Sequence, residues 1–481
     1  MPAKGAQVDV IVGGGVVGLS VAWRLARAGR QVTVVDPAPG RGASYAAAGM
    51  LAPVSEVTYT EAPLLRLGVA SLRRWPAFAA ELTEDAGLAG PTPGEDRDAG
   101  PGAGAGRASP GSGAGNGLAG GGAAGGDPLA LDLRSEGTLD VAFGADDLAA
   151  LDELAAFMDK LGLPVERLTG RECRRLEPML APSVRGGLLA PGDAWVDPRR
   201  VTAALLTALE RRGAEVVRAR VTELLREGDR VTGVRLAPPE PYGTGNGGTG
   251  NGGTGNGGTG NGGTGNGGTG NGGGHGEVRP GARTETGAGT TAGARTGGRA
   301  TTGAETRAET RTDIRAERVI LTAGAWSGEL AEVPVRPVKG QIMRLRSPQP
   351  LLSRCVRGTV HGSSVYLVPR GDGELVVGAT QEEMGFDTRV TAGGLYELLR
   401  DARELVPGIT ELEVADVVAG LRPGTPDNLP VIGPSGTPGL TFATGHHRGG
   451  VLLAPLTTAI LLGEEGELAA LCSPERFQGI S

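Results

Sequence analysis

The first apolar run of the chain, Val8 to Val12, predicts a short buried strand. The helical spacing of apolar residues from Leu19 to Ala28 predicts a helix after it, and a second apolar run, Gln31 to Val35, predicts another strand. The second strand ends at an acidic residue, Asp36. This order predicts a β-α-β unit with an acid at the tip of its second strand.

The turn between the first strand and the helix has the pattern Gly-x-Gly-x-x-Gly, formed by Gly13, Gly15 and Gly18. In such a turn the first glycine permits the tight bend, the second lets a pyrophosphate approach the backbone, and the third lets the helix pack closely. Asp36 is placed to accept a hydrogen bond from a ribose hydroxyl. We therefore expect a dinucleotide site near the N-terminus.

Further alternating and helical patterns run to the end of the chain. They predict strands or strand pairs at Thr138 to Ala142, Glu215 to Leu225 with Arg230 to Leu236, Ser364 to Ala379 and Leu440 to Ala443, and helices at Asp146 to Leu161, Gly394 to Leu405 and from Val451 onward. Mixed helices and strands in this order predict an α/β fold.

Two low-complexity segments, residues 88–128 and 238–312, interrupt this pattern. The second contains six Thr-Gly-Asn-Gly-Gly units, and the chain has 87 Gly in all. Because these segments have almost no large apolar residues to bury, we expect both to be disordered insertions.

The remaining segments predict two domains. A nucleotide-binding domain is expected to comprise residues 1–87, 186–237, 313–332 and 414–475, and a mixed-sheet substrate domain residues 129–185 and 333–413.

Composition excludes several classes of protein. The net charge is −7 and basic residues form no stripe with aromatic residues, so nucleic acid is not an expected partner. The three Cys are far apart, which argues against a metal site and favours a reducing cytoplasm. Every apolar run is too short for a membrane span.

Three motifs carry a resemblance to a known family. Gly42-Ala-Ser-Tyr-Ala-Ala-Ala-Gly-Met-Leu-Ala-Pro, Gly420-Leu-Arg-Pro-Gly-Thr-Pro-Asp and Gly445-His-His-Arg-Gly-Gly-Val-Leu-Leu-Ala-Pro resemble the FAD-dependent amine and D-amino-acid oxidases. Within that family the chain is most similar to the glycine oxidases of thiazole synthesis in thiamine biosynthesis. The resemblance implies a Rossmann-like FAD-binding domain under a substrate domain like that of D-amino-acid oxidase.

The resemblance also implies which residues contact FAD. Carried over by position, these are Val16 and Val17 at the pyrophosphate, Asp36 and Pro37 at the ribose, Ala43 and Ser44 near the phosphates, Ala48, Gly49 and Met50 at the isoalloxazine ring, Val221 at the adenine, and His446, His447, Arg448, Gly449, Gly450, Val451 and Leu452 around the pyrimidine end of the ring. A helix starting at Gly449 and Gly450 would direct its N-terminus at the flavin and stabilise negative charge there.

We expect the FAD to be non-covalent. Related sarcosine oxidases attach FAD to a Cys near the Gly-Leu-Arg-Pro motif, whereas Gly420 stands there in this chain.

The substrate site is expected at Arg422, Arg448 and Tyr366. An amino-acid oxidase must hold a carboxylate, and the planar guanidinium of Arg makes two parallel bonds to one. The alternatives are a surface salt bridge for Arg422, flavin packing alone for Arg448 and a plain core aromatic for Tyr366. No residue is assigned as a catalytic base, and His361, His446 and His447 are interpreted as structural.

The function expected from the resemblance is oxidation of glycine, with sarcosine and small D-amino acids as further substrates. Hydride passes from the α-carbon to flavin N5, giving an imine, and dioxygen then gives hydrogen peroxide. The imine would supply the thiazole of thiamine, with thiazole synthase as a partner, in a homo-oligomeric enzyme. Gln381 stands where a relative has an apolar pocket residue, which leaves the preference among these substrates open.

Three alternatives remain open. One is a dehydrogenase of sarcosine, proline or D-amino acids that uses another electron acceptor. A second is a non-catalytic flavin-binding protein, against which the joint presence of Tyr366, Arg422 and Arg448 argues. The third is an NAD-dependent dehydrogenase, which would not need the small-residue segments at 42–53 and 445–455.

Overall fold

The computed structural model describes residues 8–56, 61–88, 128–238 and 312–477. The two predicted insertions lie outside the described residues apart from their ends.

The predicted β-α-β unit is the centre of a six-stranded sheet. Its strands, in spatial order, are Val431–Pro434, Leu440–Thr444, Arg318–Leu321, Val8–Val12, Gln31–Val35 and Glu215–Val217. Five of them run parallel, and Val431–Pro434 is antiparallel to its neighbour. Their runs of Val and Ile are buried on both faces, as expected of parallel strands. The first helix begins at Val16, one turn earlier than the apolar spacing indicates.

The second large sheet has eight strands and is mixed. In spatial order they are Glu413–Gly424, Arg336–Arg346, Glu374–Gly378, Ser363–Pro369, Cys355–Val360, Thr138–Ala142, Gly186–Ala190 and Glu166–Thr169. All neighbours are antiparallel except Cys355–Val360 and Thr138–Ala142, which are parallel. This confirms the predicted pair of strands within Ser364 to Ala379.

The remaining strands of the described residues form two smaller sheets. One contains Val221–Glu227, Arg230–Leu236 and Asp313–Arg315, and the other pairs Met50–Leu51 with Ala194–Trp195. The α-helices are Val16–Arg27, Ala43–Ala46, Ala62–Leu72, Trp75–Ala86, Ala145–Lys160, Gly170–Leu176, Pro198–Arg211, Ser327–Leu330, Ala392–Leu405 and Ala454–Leu461. No helix among the described residues is both long and apolar enough to cross a membrane.

Two predicted elements differ from the structure. The strand predicted at Glu215 to Leu225 is divided: Glu215–Val217 extends the six-stranded sheet, and only Val221–Glu227 joins the hairpin. The helix predicted from Val451 begins at Ala454 and is preceded by a short 3-10 turn at His447–Gly449. Hydrophobic periodicity does not show which strand a segment pairs with, or where a short turn precedes a helix.

The division into two domains remains a proposal, because all described residues belong to one compact unit. Two strands from the ranges assigned to the nucleotide domain, Gly186–Ala190 and most of Glu413–Gly424, pair within the eight-stranded sheet. A division by sheet would therefore place both strands with the substrate domain.

Candidate active site

The glycine-rich turn is built from contacts that exclude larger residues. Gly13 has φ +111°, and a Cβ there would lie 2.4 Å from the Thr322 carbonyl oxygen. A Cβ at Gly18 would lie 1.9 Å from the Gly13 carbonyl oxygen, so the helix Val16–Arg27 packs directly on the turn. The Val16 amide donates to Ser44 Oγ at 2.9 Å, which ties the helix start to the small-residue segment.

Asp36 lies directly after its strand, as predicted, and accepts two backbone hydrogen bonds. Its carboxylate accepts from the Gly14 and Ala38 amides, each at 2.7 Å. A carboxylate has about four lone-pair sites, so Asp36 retains capacity for a ribose hydroxyl. Gly13, Asp36 and Thr322 meet because each follows the carboxyl end of a parallel strand of the same sheet.

One cavity of about 870 Å³ brings most of the predicted residues together. The predicted residues that line it are Gly13, Gly15, Val16, Val17, Asp36, Pro37, Ala43, Ser44, Ala48, Gly49, Met50, Val221, Tyr366, Arg422, His446, His447, Arg448, Gly450 and Val451. Gln381 lines it as well.

Three predicted cofactor residues, Gly18, Gly449 and Leu452, are not among the lining residues. Gly18 supports the turn from behind. Leu452 is buried, and its carbonyl accepts hydrogen bonds from Ser71 Oγ at 2.6 Å and Trp75 Nε1 at 3.0 Å. Its role is to anchor the segment that follows Gly445.

Two further parts of the cavity lining were not predicted from the sequence: the stretch from Thr322 to Trp326 and the guanidinium of Arg357. Thr322 follows the parallel strand Arg318–Leu321, and its hydroxyl donates to the Val12 and Gly13 carbonyls. The small residues Thr-Ala-Gly-Ala directly after a buried strand were the sequence feature that could have indicated this part of the cavity. No sequence feature indicated Arg357, because only the register of the two strands places it beside Tyr366.

Arg422 is held flat against a glycine. A Cβ at Gly340 would lie 2.4 Å from both Nη atoms of Arg422, so only glycine leaves space for the guanidinium. Nη1 donates to the Thr380 carbonyl at 3.1 Å and to the Lys339 carbonyl at 3.4 Å. In the described part of the chain Arg422 has no carboxylate partner within salt-bridge distance, so its charge is available to a substrate carboxylate.

Tyr366 is held in the same way. It pairs with Gly378 on the neighbouring strand, and a Cβ at Gly378 would lie 2.5 Å from the Tyr366 hydroxyl oxygen. Burial raises the pKa of Tyr366, and the nearby charge of Arg422 opposes that rise. The phenol therefore stays protonated at neutral pH and can donate a hydrogen bond.

Arg448 has a carboxylate partner already. Its guanidinium forms a salt bridge with Glu61, whose side chain is 10% exposed, and also donates to the Glu56 carbonyl at 3.3 Å. Asn428 donates to the same Glu61 carboxylate at 2.9 Å. Arg448 lines the cavity, but a second carboxylate would have to compete with Glu61 for it.

The histidines near the cavity are neutral at physiological pH. Burial lowers the pKa of His446 to about 3, and burial together with the Arg448 charge lowers that of His447 to about 4. His446 Nε2 is 2.9 Å from Thr457 Oγ1. His361 is half exposed beside Asp401 and does not line the cavity. These positions agree with structural roles.

The cavity suits FAD. At one end, the backbone of Gly13 and Gly15 and the carboxylate of Asp36 offer the groups that bind a pyrophosphate and a ribose. Beside them the segment from Gly42 to Gly49 presents only small side chains to the cavity, which leaves a flat wall for a ring system. Tyr366 and Arg422 lie in the same cavity.

The fold and the cavity agree with the family to which the chain belongs. Residues 10–91, 126–251 and 278–463 match the family described as FAD dependent oxidoreductase, and the chain is a member of it. The protein is therefore an FAD-dependent oxidoreductase.

Among individual relatives, the chain is 29% identical to the glycine oxidase of Geobacillus kaustophilus over 93% of this chain and 89% of the relative. The solved structure of glycine oxidase from Geobacillus kaustophilus superposes with a TM-score of 0.69 at 26% identity, covering 98% of this chain and 100% of that one. A bifunctional ThiO/ThiG protein of Nostoc sp. is 43% identical over 31% of this chain, and the match spans 23% of that longer protein.

Proposed function

We propose that the protein oxidises glycine, and with it sarcosine or small D-amino acids, to the corresponding imine. The observation that carries the proposal is Arg422, a guanidinium without a described carboxylate partner, in the same cavity as Tyr366 and the glycine-rich turn. The similarity to glycine oxidases supports the same substrate class.

In this proposal Arg422 binds the substrate carboxylate through parallel hydrogen bonds, and the protonated Tyr366 hydroxyl donates a further one. FAD, when bound, supplies the acceptor for a hydride from the α-carbon and passes the electrons to dioxygen. The neighbouring histidines are neutral and His446 is hydrogen-bonded to Thr457, so none is assigned as a base. The protein contributes mainly by orienting the α-carbon.

We further propose that the imine serves thiazole formation in thiamine biosynthesis, with thiazole synthase as a partner. The support is the similarity to part of a bifunctional ThiO/ThiG protein. We also propose that the enzyme is homo-oligomeric and cytoplasmic.

The test is to incubate the purified FAD-loaded protein with glycine in air and measure hydrogen peroxide, ammonia and glyoxylate, the hydrolysis products of the imine. We expect the three products in equal amounts. Flavin reduction by glycine without peroxide, but with reduction of an added dye, would favour the dehydrogenase alternative. No product from glycine, sarcosine or D-alanine would refute the proposal.

A further inference from the structure

Arg357 lies in the substrate cavity but has no part in the proposed binding of glycine. It belongs to the strand Cys355–Val360, directly opposite Tyr366 in the antiparallel pair and opposite Asp140 in the parallel pair. Residues directly opposite on neighbouring strands present their side chains on the same face. Arg357 and Tyr366 both line the cavity.

The charge of Arg357 is weakly compensated. One Nη group donates to the Ser55 carbonyl, whereas Nε is buried without a hydrogen-bond partner. Its one described ion pair is with Asp140, at 3.9 Å from Nε, and burial raises the pKa of that carboxyl group. A largely buried guanidinium with a distant counter-charge is costly unless another anion approaches it.

The cavity therefore presents two guanidinium groups near one tyrosine. Arg422 and Arg357 both line this cavity, and Arg357 lies directly opposite Tyr366 in the strand pair. Both charges oppose the rise in the pKa of Tyr366. Ser364, two residues before Tyr366 on the same strand face, adds a hydroxyl to the cavity wall, and Glu56 adds one carboxylate. Arg448 also lines the cavity but is paired with Glu61, which leaves Arg422 and Arg357 to bind two carboxylates and Glu56 to bind an ammonium group.

We propose that Arg357 binds a second carboxylate of the substrate, so that amino acids with a second acidic group, such as N-(carboxymethyl)glycine or D-aspartate, bind more tightly than their monocarboxylate counterparts. The inference rests on the proposed function, in which Arg422 binds the α-carboxylate. Arg357 is then a residue that determines specificity.

Binding can be measured without turnover by using acids that cannot be oxidised. The FAD-loaded protein is titrated with malonate, succinate and glutarate, each compared with the monocarboxylate that lacks its second carboxyl group: acetate, propionate and butyrate. The change in the flavin spectrum gives each Kd. In the wild type we expect the best dicarboxylate to bind about tenfold or more tightly than its partner, since a hydrogen-bonded charge contributes that much.

Substitution then assigns the effect to Arg357. Arg357→Gln should reduce the dicarboxylate advantage to less than about twofold, and Arg357→Lys should leave an intermediate advantage, because a point charge replaces a planar fork. Arg200→Gln is the matched control: Arg200 is 40% exposed, pairs with Asp372 and does not line the cavity, so the advantage should persist.

No advantage in the wild type for any of the three pairs, or an advantage that persists in Arg357→Gln, would overturn the proposal. If Arg357→Gln does not fold, an advantage in Arg357→Lys that is as large as in the wild type would overturn the proposal. Failure of glycine to reduce the flavin would refute the proposed function separately, because these titrations do not depend on oxidation.

Discussion

Two residues of the proposed substrate site, Arg422 and Tyr366, occupy space that neighbouring glycines leave free. Gly340 leaves the space that the Arg422 guanidinium fills, and Gly378 leaves the space for the Tyr366 ring. Both glycines lie on strands next to the residues that they accommodate. At the scale of single residues, the proposed site therefore depends on two glycines, which have no side chain, as much as on Arg422 and Tyr366.

Removing the guanidinium by Arg422→Ala should raise the KM for glycine strongly. Loss of a charged bidentate contact costs on the order of 2–4 kcal/mol, whereas the substitution leaves the proposed FAD-binding residues unchanged. Steady-state kinetics together with FAD content per protein would check both parts, with Arg200→Ala as the control. An unchanged KM would remove Arg422 from the substrate site.

Gly340→Ala should produce a milder form of the same defect. The new methyl group would overlap both Nη atoms and push the guanidinium out of its place, which again raises KM more than it lowers FAD content. Gly192→Ala is the control, since a Cβ at Gly192 meets nothing within 4 Å. Equal KM values for the two variants would show that the packing does not position Arg422.

The residues around Gly420 and the positions of the cysteines favour non-covalent attachment of FAD. A Cβ at Gly420 would lie 2.8 Å from the Ala46 Cβ, and the three cysteines are buried and do not line the cavity. Acid precipitation should therefore leave a colourless pellet and a yellow supernatant. Colour that stays with the pellet would show a covalent bond.

At the scale of elements, the proposed FAD site lies at the carboxyl edge of the six-stranded sheet. The strands Val8–Val12, Gln31–Val35 and Arg318–Leu321 are parallel, and each delivers one wall of the cavity where it ends. The helix Val16–Arg27 completes this edge by packing on the turn through Gly18.

Gly18→Ala should separate that helix from the turn. A Cβ 1.9 Å from the Gly13 carbonyl oxygen forces a backbone shift, and such overpacking costs about 1–3 kcal/mol. We expect a higher Kd for FAD, measured by fluorescence titration of the apoprotein, and a lower urea midpoint. Gly192→Ala should change neither quantity, and an unaltered FAD affinity in Gly18→Ala would contradict this account of the turn.

The sequence predicts elements better than it predicts their partners. Periodicity located Gln31–Val35 and Thr138–Ala142 at their observed bounds, because each is a short run with one clear period. Periodicity wrongly assigned Glu215–Val217 to the following hairpin. This strand pairs with Gln31–Val35, which is far away in the sequence, and a local pattern cannot show such a pairing. The Arg448–Glu61 salt bridge and the register of Arg357 with Tyr366 are non-local for the same reason.

At the scale of the whole molecule, stability should depend on pH through the buried histidines. The pKa of His446 falls from 6.5 to about 3 on burial, so below pH 6.5 the unfolded chain takes up a proton that the folded protein does not. Stability is therefore lost as pH falls through this window. The lowered pKa of His447 also reduces stability as pH falls. Burial raises the pKa of Asp193 to about 6, so the folded protein takes up this proton first, and Asp193 increases stability as pH falls.

Comparison with His446→Asn isolates one histidine. Below pH 6.5 the free energy of unfolding of the wild type should fall by about 1.4 kcal/mol per pH unit more steeply than that of the variant, and above it the two curves should run parallel. Urea unfolding at a series of pH values measures this. Parallel curves down to about pH 4 would mean that His446 is not buried as a neutral group.

If one cavity holds both FAD and a small amino acid, as we propose, glycine should reduce the bound flavin. The visible spectrum of the FAD-loaded protein under anaerobic conditions, before and after addition of glycine, measures this. We expect glycine to remove the absorption of the oxidised flavin, and air to restore it with formation of hydrogen peroxide. A flavin that stays oxidised with glycine, sarcosine and D-alanine alike would contradict this proposal.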